Sequence, residues 1–177
     1  LVALMAVVAT IWLGAMTYEE AVNESMAWDN LLWMGTLIGL AGLLVKFGFI
    51  KWLAGLISAS LVGVSWTVAL YALAATYIIT HYFFAATSSH VTAMYGAFLA
   101  VAVTAGAPPY CAALFLGFAS VLCAGLTHYG MGPAPVLFSP RYVTQGEWWS
   151  LGLVFAIFNS LVWFGIGPIW WKFIGLW

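Results

Sequence analysis

Long apolar blocks, broken by short polar punctuation, organise the chain. The first block covers residues 1–16 and gives way to the polar stretch TYEEAVNES. The second runs over residues 27–48, with Trp28 and Trp33 towards one end and Lys46 at the other. Tryptophans in such places are anchors at a membrane–water interface. Residues 50–62 form a short block that opens on Lys51 and Trp52. A helix needs about 20 apolar residues to cross a bilayer, so this one is expected to lie in the interface. Gly63-Val64-Ser65 ends it, and no charged residue then occurs before Arg141. Within that neutral stretch the pattern predicts helices over 66–85 and 91–104, separated by Thr87-Ser88-Ser89-His90. The second stops at Gly106-Ala107-Pro108-Pro109, and a third helix is predicted over 110–126. It meets THYGMGPAP, residues 127–135, before a short piece reaching Phe138. A polar segment with Arg141, Gln145 and Glu147 precedes a last span over 148–171, which has tryptophan pairs at both ends.

Composition turns this pattern into a class. Of 177 residues, 66% are hydrophobic and 5% are charged, and the mean hydropathy is +1.08. A soluble domain carries roughly 25% charged residues, so this chain belongs in a membrane. The net charge of −1 excludes a basic field for nucleic acid. The first block is short of a full span and lacks both an initiator Met and a charged leader region, so it is not expected to be a signal peptide. It is expected to be a partial span of a fragment whose N-terminal half is missing. Lys46, Lys51, Arg141 and Lys172 are too few to fix an orientation. Cys111 and Cys123, if on one helix, stand ~18 Å apart along its axis. A disulfide needs Cα atoms within ~7 Å, so both read as small core residues.

The two interruptions carry the candidate chemistry. Non-helical backbone at membrane depth survives only where protein or a wet cavity satisfies it. Pro133 and Pro135 bring no N–H, and Gly130 and Gly132 permit unusual dihedrals or close approach. Broken helices expose carbonyls at one end and N–H groups at the other, which suit a cation and an anion respectively. Ser88 or Ser89 is positioned to cap a helix over 91–104. Paired interruptions of this kind point to a transport site. Blander readings stay open: a surface turn at Thr87–His90, or a packing kink at 130–135. His81, His90 and His128 lie on three segments without ligand-type spacing, so no metal or haem site is expected. Ser88 or Ser89 with His128 would make a Ser–His pair, but no nucleophile elbow accompanies it.

HYFFAATSSHVTAMYGAFLAV (residues 81–101), LTHYGMGPAPVLFSPRYVTQGEWW (126–149) and LVWFGIGPIWWKFIGLW (161–177) resemble the divalent anion:sodium symporter family. The likeness is strongest to its di- and tricarboxylate exchangers and lies in their C-terminal half. It implies an all-α membrane protein: transmembrane helices with a re-entrant helical hairpin (66–105) and a broken helix (110–138), forming the second of two inverted repeats. The family's tip motif is Ser-Asn-Thr, or Ser-x-Thr-Ala-His among the exchangers. Here Ser88 replaces the Thr, His90 matches, and Ala86 replaces the Ser, removing one hydroxyl. Ser139-Pro140-Arg141 departs from the family's Gly-Ser-Gly. The resemblance implies substrate contacts from Thr87, Ser88, Ser89, His90, Thr127, Gly132 and Pro133, and a cation site from Ala86, Ser88, Thr127 and Gly130. It implies no cofactor other than Na⁺ where transport is sodium-coupled, which the sequence leaves open, with small carboxylate anions, membrane lipid and a second copy of the full-length protein as partners. The expected function is secondary active transport of C4–C6 di- or tricarboxylates by alternating access, as exchange or sodium symport, in a bacterial inner membrane. The competing classes are a channel or membrane-embedded structural subunit, and an intramembrane Ser/His enzyme.

Overall fold

The computed structural model describes residues 1–177 and is all-helical. It divides into two compact units, residues 1–35 and 36–177. The first holds α1 (Val2–Trp12), α2 (Tyr18–Asn23) and the start of α3 (Ser25–Lys46). Helix α2 begins with a reciprocal cap. Thr17 Oγ1 accepts from the Glu20 N–H at 3.1 Å, and the Glu20 carboxylate accepts from the Thr17 N–H at 2.7 Å. The backbone hydrogen bond first, and then the Thr17 hydroxyl, hold the Glu20 carboxyl below its ordinary range. Thr144 and Glu147 repeat the device at the start of α10 (Gln145–Leu161), with the same downward shift and the same causes. Both sites carry the Thr-x-x-Glu signature of a capping box. A depressed carboxylate stabilises the fold above the unfolded pKa, and this is lost as pH falls through the lowered native value. The protection factors of the Glu20 and Glu147 amides, taken relative to the intrinsic exchange rate at each pH, are therefore expected to fall on acidification below the ordinary Glu range. Protection that stays constant across that window would argue against the reciprocal caps.

In the second unit, α4 (Phe49–Ser60) leads to α5 (Trp66–Thr80), which a 3₁₀ turn extends over His81–Phe83. The chain reverses at residues 84–86 and returns as α6 (Thr87–His90), a π-helical stretch (Val91–Tyr95) and α7 (Gly96–Thr104). Next come α8 (Pro109–Leu122), irregular backbone over 123–133, and α9 (Ala134–Phe138). After α10, a second π-helical stretch (Val162–Ile166) continues into α11 (Gly167–Phe173).

The core lies where α5, α7 and α8 meet. Leu70, Leu73, Ala74 and Tyr77 of α5 recur on one face, as do Ala112, Phe115, Leu116 and Ala119 of α8; Phe98 and Ala102 of α7 complete the cluster. Lipid is as apolar as leucine, so close packing rather than water expulsion must hold these helices together. The alanines supply it by letting the backbones approach. Buried polar ends are paired across the helices: Tyr77 Oη with Ser120 Oγ at 2.9 Å, and Tyr95 Oη donating to Ala113 O at 3.0 Å. The second π-helical stretch offers the Phe164 carbonyl to Tyr71 Oη, and Phe164 stacks on Phe115 at 4.3 Å.

Two continuous helices are long and apolar enough to cross a membrane, Ser25–Lys46 with 22 residues and Gln145–Phe173 with 29. Only 6% and 11% of their apolar windows are buried. Their remaining apolar surface faces outwards, which water does not tolerate on this scale and lipid does.

Three expectations need correction. The helix expected over 66–85 ends at Thr80. The return helix begins at Thr87, with Ala86 in the capping position. Ser88 and Ser89 therefore sit inside its first turn, and neither caps a helix starting at Val91. The helix expected over 110–126 ends at Leu122, so the break starts well before Gly130. Beyond this end α10 packs against the break, where Gly152 lies so close to the Gly125 carbonyl that a Cβ would collide with it.

Candidate functional site

The hairpin turn and the break in the α8–α9 segment are bonded directly to each other. Ala86 N–H donates to Tyr129 O at 3.0 Å, and Thr87 Oγ1 donates to Gly130 O at 3.0 Å. Gly130 O also contacts His81 Nε2 at 3.1 Å, and Tyr129 Oη reaches back to Tyr82 O at 2.9 Å. Irregular backbone from each interruption thus satisfies that of the other, which is the condition for keeping such backbone at membrane depth.

Ala86 occupies φ 68, ψ 138. Side chains other than glycine rarely adopt such a conformation, at a cost of about 1–3 kcal/mol. The bonds on either side of it hold the strained residue in place. Ala86→Gly is expected to stabilise the protein by about 1 kcal/mol, read as a raised midpoint in thermal unfolding. An unchanged or lowered midpoint would show that the turn is not strained.

The expected site residues separate into two groups. Ser88, Gly132 and Pro133 are exposed, and Thr87 and Ser89 are half-buried. His90, Thr127 and Ala86 are buried, and Gly130 is buried with them. Ser88 and Ser89 line a cleft of ≈ 270 Å³ with Ile38, Ala41, Gly42, Val45, Thr92 and Ala93. Their side chains face α3, whereas Thr87 faces the break. His90 points into the core, against Tyr77 and Phe84. In this conformation it has no open path to a ligand.

The glycines of the break differ in role. Neither Gly130 nor Gly132 has positive φ, so left-handed backbone is not what they supply. A Cβ on Gly130 would lie 2.6 Å from Ala124 O and 2.8 Å from His81 Nε2. Gly132 has nothing within 4 Å of that position. The second half-helix also presents fewer free donors than its position suggests. Ala134 N–H is bonded to Met131 O at 3.1 Å, and Pro135 has no N–H. An anion site built on this end alone is weakened accordingly.

His128 belongs to neither group. Its Nδ1 accepts from Trp149 Nε1 at 3.2 Å, and its ring lies 4.6 Å from that of Phe138. This aromatic setting, with Ser88 and Ser89 turned towards α3, leaves the Ser–His pairing without support. Cys111 and Cys123 are buried free thiols.

Comparison with known sequences places the chain. The model of the sodium:sulfate symporter transmembrane region matches residues 1–177. Dicarboxylate transporter 1, chloroplastic, of Arabidopsis thaliana is 46% identical over 93% of this chain and 30% of its own length. Dicarboxylate transporter 2, chloroplastic, of Spinacia oleracea is 35% identical over 98% of the chain and 31% of its own. The inner membrane protein YbhI of Escherichia coli is 34% identical over 99% of the chain and 37% of its own. The chain belongs to the divalent anion:sodium symporter family and is part of a multi-pass membrane protein. The family is one of transporters, not enzymes. The chain spans about a third of the length of these relatives.

Proposed function

We propose that the protein containing this chain moves small dicarboxylates across a membrane by alternating access, with the hairpin turn and the break forming one shared wall of the substrate site. The observation that carries the reading is the Thr87 Oγ1 to Gly130 O bond at 3.0 Å, which joins the two interruptions in a chain whose relatives include dicarboxylate transporters. Gly132 and Pro133 present an open surface beside this joint, and Thr87 stands at its edge. The remaining wall is assigned to the other repeat of the full-length protein, and a second copy of that protein to a homodimer interface. Ala86 removes the hydroxyl that the family places at the tip, so exchange without sodium is favoured over symport. A bacterial inner membrane is the proposed location, in line with the similarity to the inner membrane protein YbhI.

The experiment is uptake by full-length protein in proteoliposomes. Malate, succinate, 2-oxoglutarate and citrate are offered, with sulfate as the comparison, with and without Na⁺ and with and without internal counter-substrate. Saturable dicarboxylate uptake that is stimulated by internal dicarboxylate and indifferent to Na⁺ is expected. Uptake of sulfate alone would overturn the substrate class. Uptake that never saturates would favour a channel.

A further inference from the structure

The geometry points to a buried binding site for a monovalent soft metal ion, Cu⁺, held by His81, His90 and Cys123. All three residues are fully buried. Each brings one ligand-capable atom within 4.8 Å of those of the others. His81 and His90 lie on either side of the hairpin turn, and Cys123 stands at the end of α8, so a shared ion would clamp the turn to the break.

The hydrogen bonds fix the tautomers that ligation needs. His81 Nε2 contacts Gly130 O, which can only accept, so the ring carries its proton on Nε2. Thr80 Oγ1 gives its proton to Tyr77 O at 2.8 Å and must therefore accept from His90 Nε2 at 3.2 Å. Both rings thus have an unprotonated Nδ1, and both Nδ1 atoms are buried without a hydrogen-bond partner. Burying an unpaired acceptor is costly, so two together call for a ligand. A metal-bound histidine commonly donates its other ring N–H to an oxygen, as both do here. Cys123 Sγ has one weak outlet, Ser120 O at 3.3 Å.

Charge and coordination number select the ion. Two neutral imidazoles and one thiolate around Cu⁺ make a neutral group, which an apolar interior accepts; Zn²⁺ would leave a net positive charge there. Soft thiolate with imidazole suits Cu⁺, whereas a structural Zn²⁺ site wants four ligands. Ligand atoms around a three-coordinate ion stand about 3.7 Å apart, so the three residues, whose ligand-capable atoms lie within 4.8 Å of one another, draw closer when the ion binds. On binding, the Cu–S bond replaces the thiol S–H bond and the proton leaves to buffer, with no change of oxidation state. The site is closed to solvent, so loading requires the hairpin turn to open and is slow.

The test uses purified full-length protein, metal-stripped and incubated anaerobically with Cu⁺ or with Zn²⁺, then passed over a desalting column. About one Cu⁺ per chain is expected to remain, with X-ray absorption showing one sulfur and two nitrogen ligands. Cys111→Ser should retain the ion; Cys123→Ser should lose it. His81→Gln keeps a donor for Gly130 O and should also lose it. Retention of Zn²⁺ in place of Cu⁺ would overturn the monovalent assignment, and retention of neither would assign the free nitrogens to buried water instead. A wild-type spectrum without sulfur ligation sinks the site however the variants fold.

Discussion

Gly130→Ala is expected to unfold the joint between the hairpin turn and the break, lowering stability by about 3 kcal/mol or more. The added Cβ would stand 2.6 Å from Ala124 O, 2.8 Å from His81 Nε2 and 3.1 Å from Thr127 Oγ1. None of these is the free end of a flexible chain. Ala124 O is backbone, and His81 is tied to the carbonyl of Gly130 itself. Overpacking a filled site costs about 1–3 kcal/mol. The shift also loosens the bonds from His81 and Thr87 to Gly130 O, each contributing about 1 kcal/mol. The measurement is thermal unfolding of the full-length variant in detergent, with folded yield by gel filtration. A midpoint equal to wild type would mean that residues 127–130 are not packed against His81 and Ala124.

That expectation was not readable from the sequence. Gly130 and Gly132 look alike in THYGMGPAP, and the neighbouring prolines draw attention to Gly132. Only the fold shows that Gly130 is the glycine under steric demand. The tip behaves similarly: Ser88 and His90 are two residues apart, yet Ser88 is exposed beside α3 and His90 is buried. A helix surrounded by apolar matter has no polar face, so periodicity cannot phase it and only punctuation marks its ends. Where punctuation is strong, at Lys46, at Gly63-Ser65 and at Pro108-Pro109, the helix ends fall close to it. HYFFAA and CAGL carry no breaker strong enough to mark an end, so the pattern does not predict the stops at Thr80 and Leu122. Thr17 and Thr144 open Thr-x-x-Glu caps that mark helix starts locally, although the hydrophobic pattern alone predicts no helix at Tyr18–Asn23 and starts the last span only at 148.

The meeting of His81, His90 and Cys123 has a different cause. It depends on α8 packing against α5, which no spacing along the chain encodes. The three histidines stand on separate segments with no ligand motif, and their spacing predicts no metal site. Folding pairs two of them with a cysteine that reads as core. The same packing sets Tyr77 against Ser120 of α8, while the hairpin brings His90 of α6 against the same Tyr77.

Gly132→Leu is expected to abolish dicarboxylate uptake per folded molecule while leaving the protein inserted and stable. Gly132 is exposed, and nothing lies within 4 Å of where its Cβ would stand. Its φ is not positive, so an L side chain meets no backbone strain. The exposed position has room for the first carbon of the leucine and is expected to tolerate the rest, so any loss must come from the space the leucine fills. That space adjoins Pro133 and the joint at Gly130, on the proposed path of the anion. Pro133→Ala adds no bulk and should leave most of the uptake. The contrast with Gly130→Ala separates packing from transport two residues apart: one variant should lose its fold, the other only its function. Uptake in proteoliposomes, normalised to the monodisperse fraction recovered from detergent, decides the matter. Wild-type uptake per folded Gly132→Leu molecule would remove the break from the substrate wall. Loss of folding in that variant would instead reveal packing against a part of the full-length protein outside this chain.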